Sequence, residues 1–134
     1  MLIHPAGARP TVRAPAAYFT GDVWQDVVME TPAPATLVAL RVRFAPGGRT
    51  FWHTHPKGQT LLVVSGVGRI QARGGPVRAL MPGDTVWIPP GEEHWHGAAP
   101  DMFMEHIAMQ EREGDVRAVW LDAVADVDYT ADPA

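Results

Sequence analysis

Apolar and polar residues alternate over short stretches of this chain, a pattern that predicts β-strands. Residues 37–44 (LVALRVRF) alternate Leu40, Val42 and Phe44 with two arginines, so one face of the strand is apolar and the other polar. Comparable runs predict strands at 22–29, 36–44, 49–55, 59–65, 67–73, 77–80, 85–89, 93–98, 102–110 and 116–120. The tail LDAVADVDY (121–129) predicts a short helix.

Thirteen glycines and thirteen prolines separate these runs. Ser65-Gly66 and Gly74-Gly75 are typical of hairpin turns, and the MPGD sequence at 81–84 is typical of a tight turn. This rhythm of short strands and turns is that of an all-β sandwich or barrel. Two similar blocks of strands favour a double Greek key that closes as a jelly roll. No boundary or low-complexity segment divides the chain, so we expect a single domain over residues 1–134.

Composition narrows the range of partners. The net charge is −4 at pH 7 and no basic tract is present, which argues against nucleic acid or an anionic membrane surface. The start MLIHPAGARP has no apolar core for export, and no apolar run is long enough to span a bilayer. The lack of cysteine excludes disulfides and thiolate metal ligands. We therefore expect a cytoplasmic protein.

Histidines recur at alternating positions in the predicted strands. His53 and His55 share one face of a strand, and so do His94 and His96, because the side chains of a strand repeat with a period of two. His106 shares a face with Ala108 and Gln110. Imidazoles turned into a β-sandwich are costly unless something satisfies them, and a divalent metal would satisfy several at once.

These histidines fall within two motifs. Gly47-(x5)-His53-Thr54-His55-(x3)-Gln59-(x6)-Gly66 resembles the first cupin motif, with glutamine where most members carry glutamate. Gly83-(x5)-Pro89-Pro90-Gly91-(x2)-His94 resembles the second, although Ala98 stands where asparagine is usual. The motifs occupy residues 47–66 and 83–98. The runs HTHPKGQTLLVVSGVG, PGDTVWIPPGEEHWHGAAP and MEHIAMQE are similar to small bacterial cupins that act as manganese-dependent hydroxynitrile lyases.

The resemblance implies an all-β jelly-roll barrel, the cupin double-stranded β-helix, with one divalent ion inside it. It implies that this ion is Mn²⁺, with Fe, Ni, Co or Zn as alternatives. The implied metal ligands are His53, His55, Gln59 and His94. The implied reaction is reversible cleavage of an aromatic cyanohydrin, such as mandelonitrile, to an aldehyde and HCN.

Two further histidines are candidates for proton transfer. His106 is the expected acid/base because imidazole titrates near neutrality when unperturbed, and His96 is expected to orient or assist it. Either histidine can instead orient a metal ligand through its second nitrogen. Gln59 matters as well: three imidazoles and one amide carry no charge, so a bound ion keeps its full charge and acts strongly as a Lewis acid.

The inward positions next to these histidines predict the pocket wall. Val42, Phe44 and Gln110 are the expected substrate contacts, with Leu61 and other aliphatic residues (Leu40, Ala108) beside them. For the aliphatic positions, a purely structural place in the core is the alternative. The alternative functions are a cupin dioxygenase or decarboxylase-like enzyme on a small ring substrate, and a non-enzymatic cupin that binds a metal or small ligand.

Trp52 and Trp95 have the parity opposite to the histidines, which predicts an outer core or a subunit interface. Many cupins pair, so a homodimer or homotetramer is expected. Such an assembly would use exposed Trp24, Met29, Met102 and Met104.

Overall fold

Short β-strands are the main regular structure of the computed structural model, which describes residues 1–134. In chain order the strands are β1 (Val12–Arg13), β2 (Phe19–Thr20), β3 (Val23–Glu30), β4 (Leu37–Phe44), β5 (Arg49–Thr50), β6 (His53–Thr54), β7 (Gln59–Gly66), β8 (Gly68–Ala72), β9 (Arg78–Leu80), β10 (Thr85–Ile88), β11 (His94–Ala98), β12 (Met104–Glu111) and β13 (Val119–Trp120). A single helix, α1, spans Asp126–Tyr129. This helix is too short to cross a membrane.

The strands form two antiparallel sheets. The first has the order β1-β3-β4-β12-β7-β10. The second has the order β13-β6-β11-β5-β2, with β8 paired to β11 and β9 paired to β8. Neighbours in the sheets are often distant in the chain, as when β12 lies between β4 and β7. The predicted all-β barrel is therefore confirmed, and the predicted tail helix is present in a shorter form.

The prediction of one strand over 49–55 is wrong. The segment divides into β5 and β6, and His55 lies beyond the end of β6. The break arises because Phe51 N donates to Tyr18 O at 2.8 Å, whereas Trp52 N donates to Asp122 O at 2.9 Å. Pro56, which has no N–H to donate to a ladder, then follows His55.

Two further differences lie near the chain ends. Strands β1 and β2 have no counterpart among the predicted strands. The predicted strand 116–120 is shortened to β13, because Glu113 and Val116 bond to each other in a tight turn, with N···O distances of 2.9 and 3.0 Å. Strands β1 and β2 depend on pairing with β3 and β5, which a local pattern does not encode.

The main apolar core lies between the two sheets. It contains nine buried residues: Ala14, Phe19, Val23, Val42, Phe44, Val63, Leu80, Ala98 and Met104. Each large side chain of this kind contributes about 1.5–3 kcal/mol by leaving water. Met104 has no exposed surface, so the prediction that it serves a subunit interface is wrong. Trp24 and Met102 are exposed, and the homodimer or homotetramer stays a prediction.

A second apolar cluster holds the C-terminal segment against the second sheet. It consists of Trp52, Val77, Trp95, Val124 and Tyr129. Within it, the Tyr129 hydroxyl donates to Ala98 O at 2.7 Å. Trp52 and Trp95 are 3% and 0% exposed, so of the two predicted roles the outer core is the one observed.

Candidate metal centre

Five histidines and one glutamine meet inside the barrel. They come from the start of β6 (His53), the residue just after it (His55), the start of β7 (Gln59), β11 (His94, His96) and β12 (His106). None of the six is more than 3% exposed. All except His94 line one cavity of about 490 Å³. Polar side chains buried at this density require partners or a ligand.

Strand pairing brings the two motifs together. His94 lies directly opposite His53 where β11 pairs with β6, and their ring centroids are 4.2 Å apart. Gly58 makes the tight turn that returns the chain to Gln59. Its φ is +79°, and a Cβ at this position would lie only 2.6 Å from Ile88 O, so the turn excludes a side chain.

The proton positions of three imidazoles follow from their backbone partners. The Nδ1 atoms lie 2.9 Å from Phe51 O for His53, 2.7 Å from Arg117 O for His55, and 2.9 Å from Glu92 O for His94. Because a carbonyl oxygen only accepts, each Nδ1 carries the proton and each Nε2 keeps a free lone pair. This is the arrangement that orients histidines toward a metal. The Nε2 of His55 is buried and has no other partner.

Gln59 is oriented by a second glutamine. Its Nε2 donates to Gln110 Oε1 at 3.2 Å, which turns Gln59 Oε1 toward the histidines, 3.4 Å from His94 Nε2. Gln110 lies opposite Gln59 where β12 pairs with β7. Gln110, predicted to contact substrate, thus also determines which end of the Gln59 amide faces the cluster.

His96 and His106 form a separate pair. Nε2 of His106 lies 3.0 Å from Nδ1 of His96, so a hydrogen bond joins them. Their remaining nitrogens, Nε2 of His96 and Nδ1 of His106, are buried without a partner.

One close group of histidine donors differs from the predicted ligand set. Donor atoms of His53, His94 and His96 all lie within 4.8 Å of one another, so these three residues can hold a metal ion. This group includes His96, whereas the predicted ligand set includes His55 and not His96. His96 joins the group because β11 presents both of its histidines on one face, as its period of two requires.

Burial keeps these imidazoles neutral. It lowers the pKa of His94 and of His106 from 6.5 to about 4, and it also lowers the pKa of His55 below 6.5. Burial and the neighbouring histidines hold the pKa of His53 and of His96 well below 6.5. Neutral imidazoles with free lone pairs suit a divalent cation, so the donor set fits a metal.

The cavity wall is largely the predicted one. Val42, Phe44 and Gln110 line it, with Leu40 and Ala108. The register of β4 against β12 explains why Val42 faces the cavity, since Val42 lies directly opposite His106. The prediction that Leu61 lines the wall is wrong, because Leu61 packs in a small cluster with Ile88 and Ala108 instead.

Sequence patterns missed one side of the cavity. Tyr18, Phe19, Trp120 and residues 115–118 also line it. Trp120 stacks on His53, with ring centroids 4.6 Å apart. Trp120 reaches the cavity through the pairing of β13 with β6, and Phe19 reaches it through the pairing of β2 with β5; no local pattern gives a signal for either pairing.

Comparisons with known proteins agree with this geometry. The chain is 46% identical to (R)-mandelonitrile lyase from Granulicella tundricola over 129 residues, which cover 96% of this chain and 98% of that protein. It is 41% identical to a cupin-like protein from Thermotoga maritima, with a TM-score of 0.83 over 87% of this chain and 89% of that one. A cupin-2 domain from Rhodospirillum rubrum shares the fold at 19% identity, with a TM-score of 0.71 over 95% of this chain and 82% of that one. The cupin domain model matches residues 40–105. With this geometry and these similarities, the chain belongs to the cupin family.

Proposed function

We propose that this cupin is a metal-dependent hydroxynitrile lyase that reversibly cleaves an aromatic cyanohydrin, such as mandelonitrile, to an aldehyde and HCN. The observation that carries the proposal is the convergence of free imidazole lone pairs and one amide oxygen beside a cavity with an apolar wall on one side. Similarity to a lyase over 96% of the chain supports the same class of reaction.

The residues that would hold the ion are His53, His55, Gln59 and His94, with Mn²⁺ as the expected metal. His55 is preferred to His96 because the carbonyl oxygen of Arg117 fixes the proton of His55 on Nδ1 and leaves its Nε2 lone pair free, whereas Nδ1 of His96 pairs with another imidazole, which does not fix its proton. Three nitrogens and one oxygen also suit Fe, Ni, Co or Zn. When bound, the ion supplies Lewis acidity toward the substrate oxygen.

Side chains of the protein carry out the proton transfers. Cleavage removes the proton of the cyanohydrin hydroxyl, breaks the bond between the carbinol carbon and the nitrile carbon, and sends the bonding pair out with cyanide, which must gain a proton to leave as HCN. His106 is neutral near pH 7 and so can take the hydroxyl proton and return one to cyanide. His96 assists across the 3.0 Å contact.

The substrate ring fits the apolar part of the cavity. Val42 and Phe44 provide hydrophobic contact, and Gln110 provides a polar edge next to Gln59. Phe44 also packs against His106, with ring centroids 5.3 Å apart. Contact of the substrate ring with the same wall as the proposed base supports a reaction at a carbon near His106.

Mandelonitrile cleavage, followed by the absorbance of benzaldehyde, tests the proposal. Activity should disappear with a chelator, return with Mn²⁺, and persist under anaerobic conditions. His106→Ala should lower turnover by about 10²–10⁴-fold with Mn²⁺ still bound at one equivalent.

Undiminished turnover by the His106→Ala variant would refute the assigned base. Turnover that requires O₂ would favour the dioxygenase alternative. An absence of turnover with bound metal would favour a non-enzymatic cupin.

A further inference from the structure

Three stacked rings connect the cavity wall to a proposed metal ligand. The rings of Tyr18 and Trp120 lie nearly parallel, with centroids 4.8 Å apart and an angle of 13° between their planes. The rings of Trp120 and His53 have centroids 4.6 Å apart and an angle of 29°. All three residues line the cavity.

The backbone holds the indole in this place. Trp120 on β13 lies directly opposite His53 on β6. The pairing continues past both strands, since Leu121 N donates to Trp52 O at 2.9 Å. Phe19 adds a tilted contact to the indole, at 5.4 Å between centroids and 54° between planes.

His53 needs a second restraint, which the indole provides. The hydrogen bond from Nδ1 to Phe51 O selects the orientation of the ring, but a carbonyl oxygen accepts over a broad range of angles, so the imidazole can still rotate by a small angle about its Cβ–Cγ bond. A parallel indole on the face of the ring blocks that rotation. An imidazole that shares its lone pair with a cation is electron-poor, which strengthens its attraction to an electron-rich indole face.

We propose that Trp120 is a positioning residue that fixes the plane of the His53 imidazole, and thereby sets the affinity for the metal ion. Tyr18 holds the indole in place from the other end of the stack. This inference rests on the metal centre of the proposed function, but not on the reaction catalysed there.

The affinity for Mn²⁺ tests the inference directly. The free Mn²⁺ signal in electron paramagnetic resonance gives the dissociation constant for the wild type, Trp120→Phe and Trp120→Leu. Loss of the partner of a ligand typically costs about 10–100-fold in affinity, so Trp120→Leu should bind about 10-fold more weakly. Trp120→Phe keeps a flat ring on His53 and should recover most of the affinity.

Two further variants make the test specific. Trp24→Leu makes the same substitution on β3, outside the cavity and at a residue that is 40% exposed, and should bind Mn²⁺ like the wild type. Thermal unfolding of each metal-free variant checks folding. If Trp120→Leu does not fold, Tyr18→Leu replaces it, since Tyr18 is also 40% exposed and its loss should weaken binding in the same direction.

The outcomes separate this inference from the proposed function. Equal Mn²⁺ affinity in the wild type and in the folded Trp120 or Tyr18 leucine variant overturns the role of the stack alone. A wild type that binds no Mn²⁺ overturns the metal centre and this inference with it.

Discussion

Acidification should destabilise the metal-free protein, because its buried histidines gain protons on unfolding. The pKa shift of His106 gives the size of this loss of stability. Burial lowers its pKa from 6.5 to about 4. At pH 5 the imidazole of the unfolded chain is therefore mostly protonated, whereas that of the folded protein is mostly neutral. The unfolded state binds more protons, so stability is full above pH 6.5 and is lost as the pH falls toward 4.

The two pKa values give a loss of about 2 kcal/mol from His106 between pH 7 and pH 5. His94 has the same folded pKa of about 4 and adds a similar amount. Since a domain has about 5–15 kcal/mol of stability, these residues alone remove a large part of it.

Urea unfolding at pH 7 and pH 5, in the presence of a chelator, measures this loss in the wild type and in His106→Gln. The substitution changes stability at both pH values, but its effect on packing cancels in the difference between them. The pH-dependent loss should be smaller in the variant by about 2 kcal/mol. Equal losses in the two proteins would show that His106 is charged in the folded state or is open to solvent.

Other predictions concern the metal. Mn²⁺ at about 100 times its dissociation constant should stabilise the wild type by about 2.7 kcal/mol, seen as a higher midpoint in thermal unfolding; an unchanged midpoint would contradict the metal centre. Gln110→Leu removes the acceptor that orients Gln59, so calorimetry should show Mn²⁺ binding weakened by about 10-fold, and unchanged binding would mean that Gln59 needs no such partner. Gln59→Glu adds an anionic ligand, so mandelonitrile turnover should fall while Mn²⁺ binds more tightly; unchanged turnover would undercut the argument from ligand charge.

Much of the centre could be predicted from local sequence. The period of two in a strand places His94 and His96 on one face. The resemblance to the cupin motifs predicts that His53, His55 and Gln59 lie near them, and the pairing of β11 with β6 brings the two motifs together. The alternation in β4 likewise predicts that Val42 and Phe44 face inward, as they do. The alternation within β4 and β11 depends on neighbours within a few residues, so the chain alone reveals it.

Other features depend on pairing between distant segments. The local pattern predicts His55 in a strand, yet its Nδ1 is held by the carbonyl oxygen of Arg117, 62 residues away. Trp120 contacts His53 only because β13 pairs with β6. A hydrophobic pattern shows that a segment is a strand, but it does not show which strand lies beside it or in which register. One side of the cavity therefore has no signal in the local sequence.

Anomalous diffraction at the manganese edge from crystals of the Mn²⁺-loaded protein tests the central claim most directly. We predict one peak inside the barrel, coordinated by the Nε2 atoms of His53, His55 and His94 and by Oε1 of Gln59. A peak coordinated by His96 in place of His55, or no peak inside the barrel, would contradict the account.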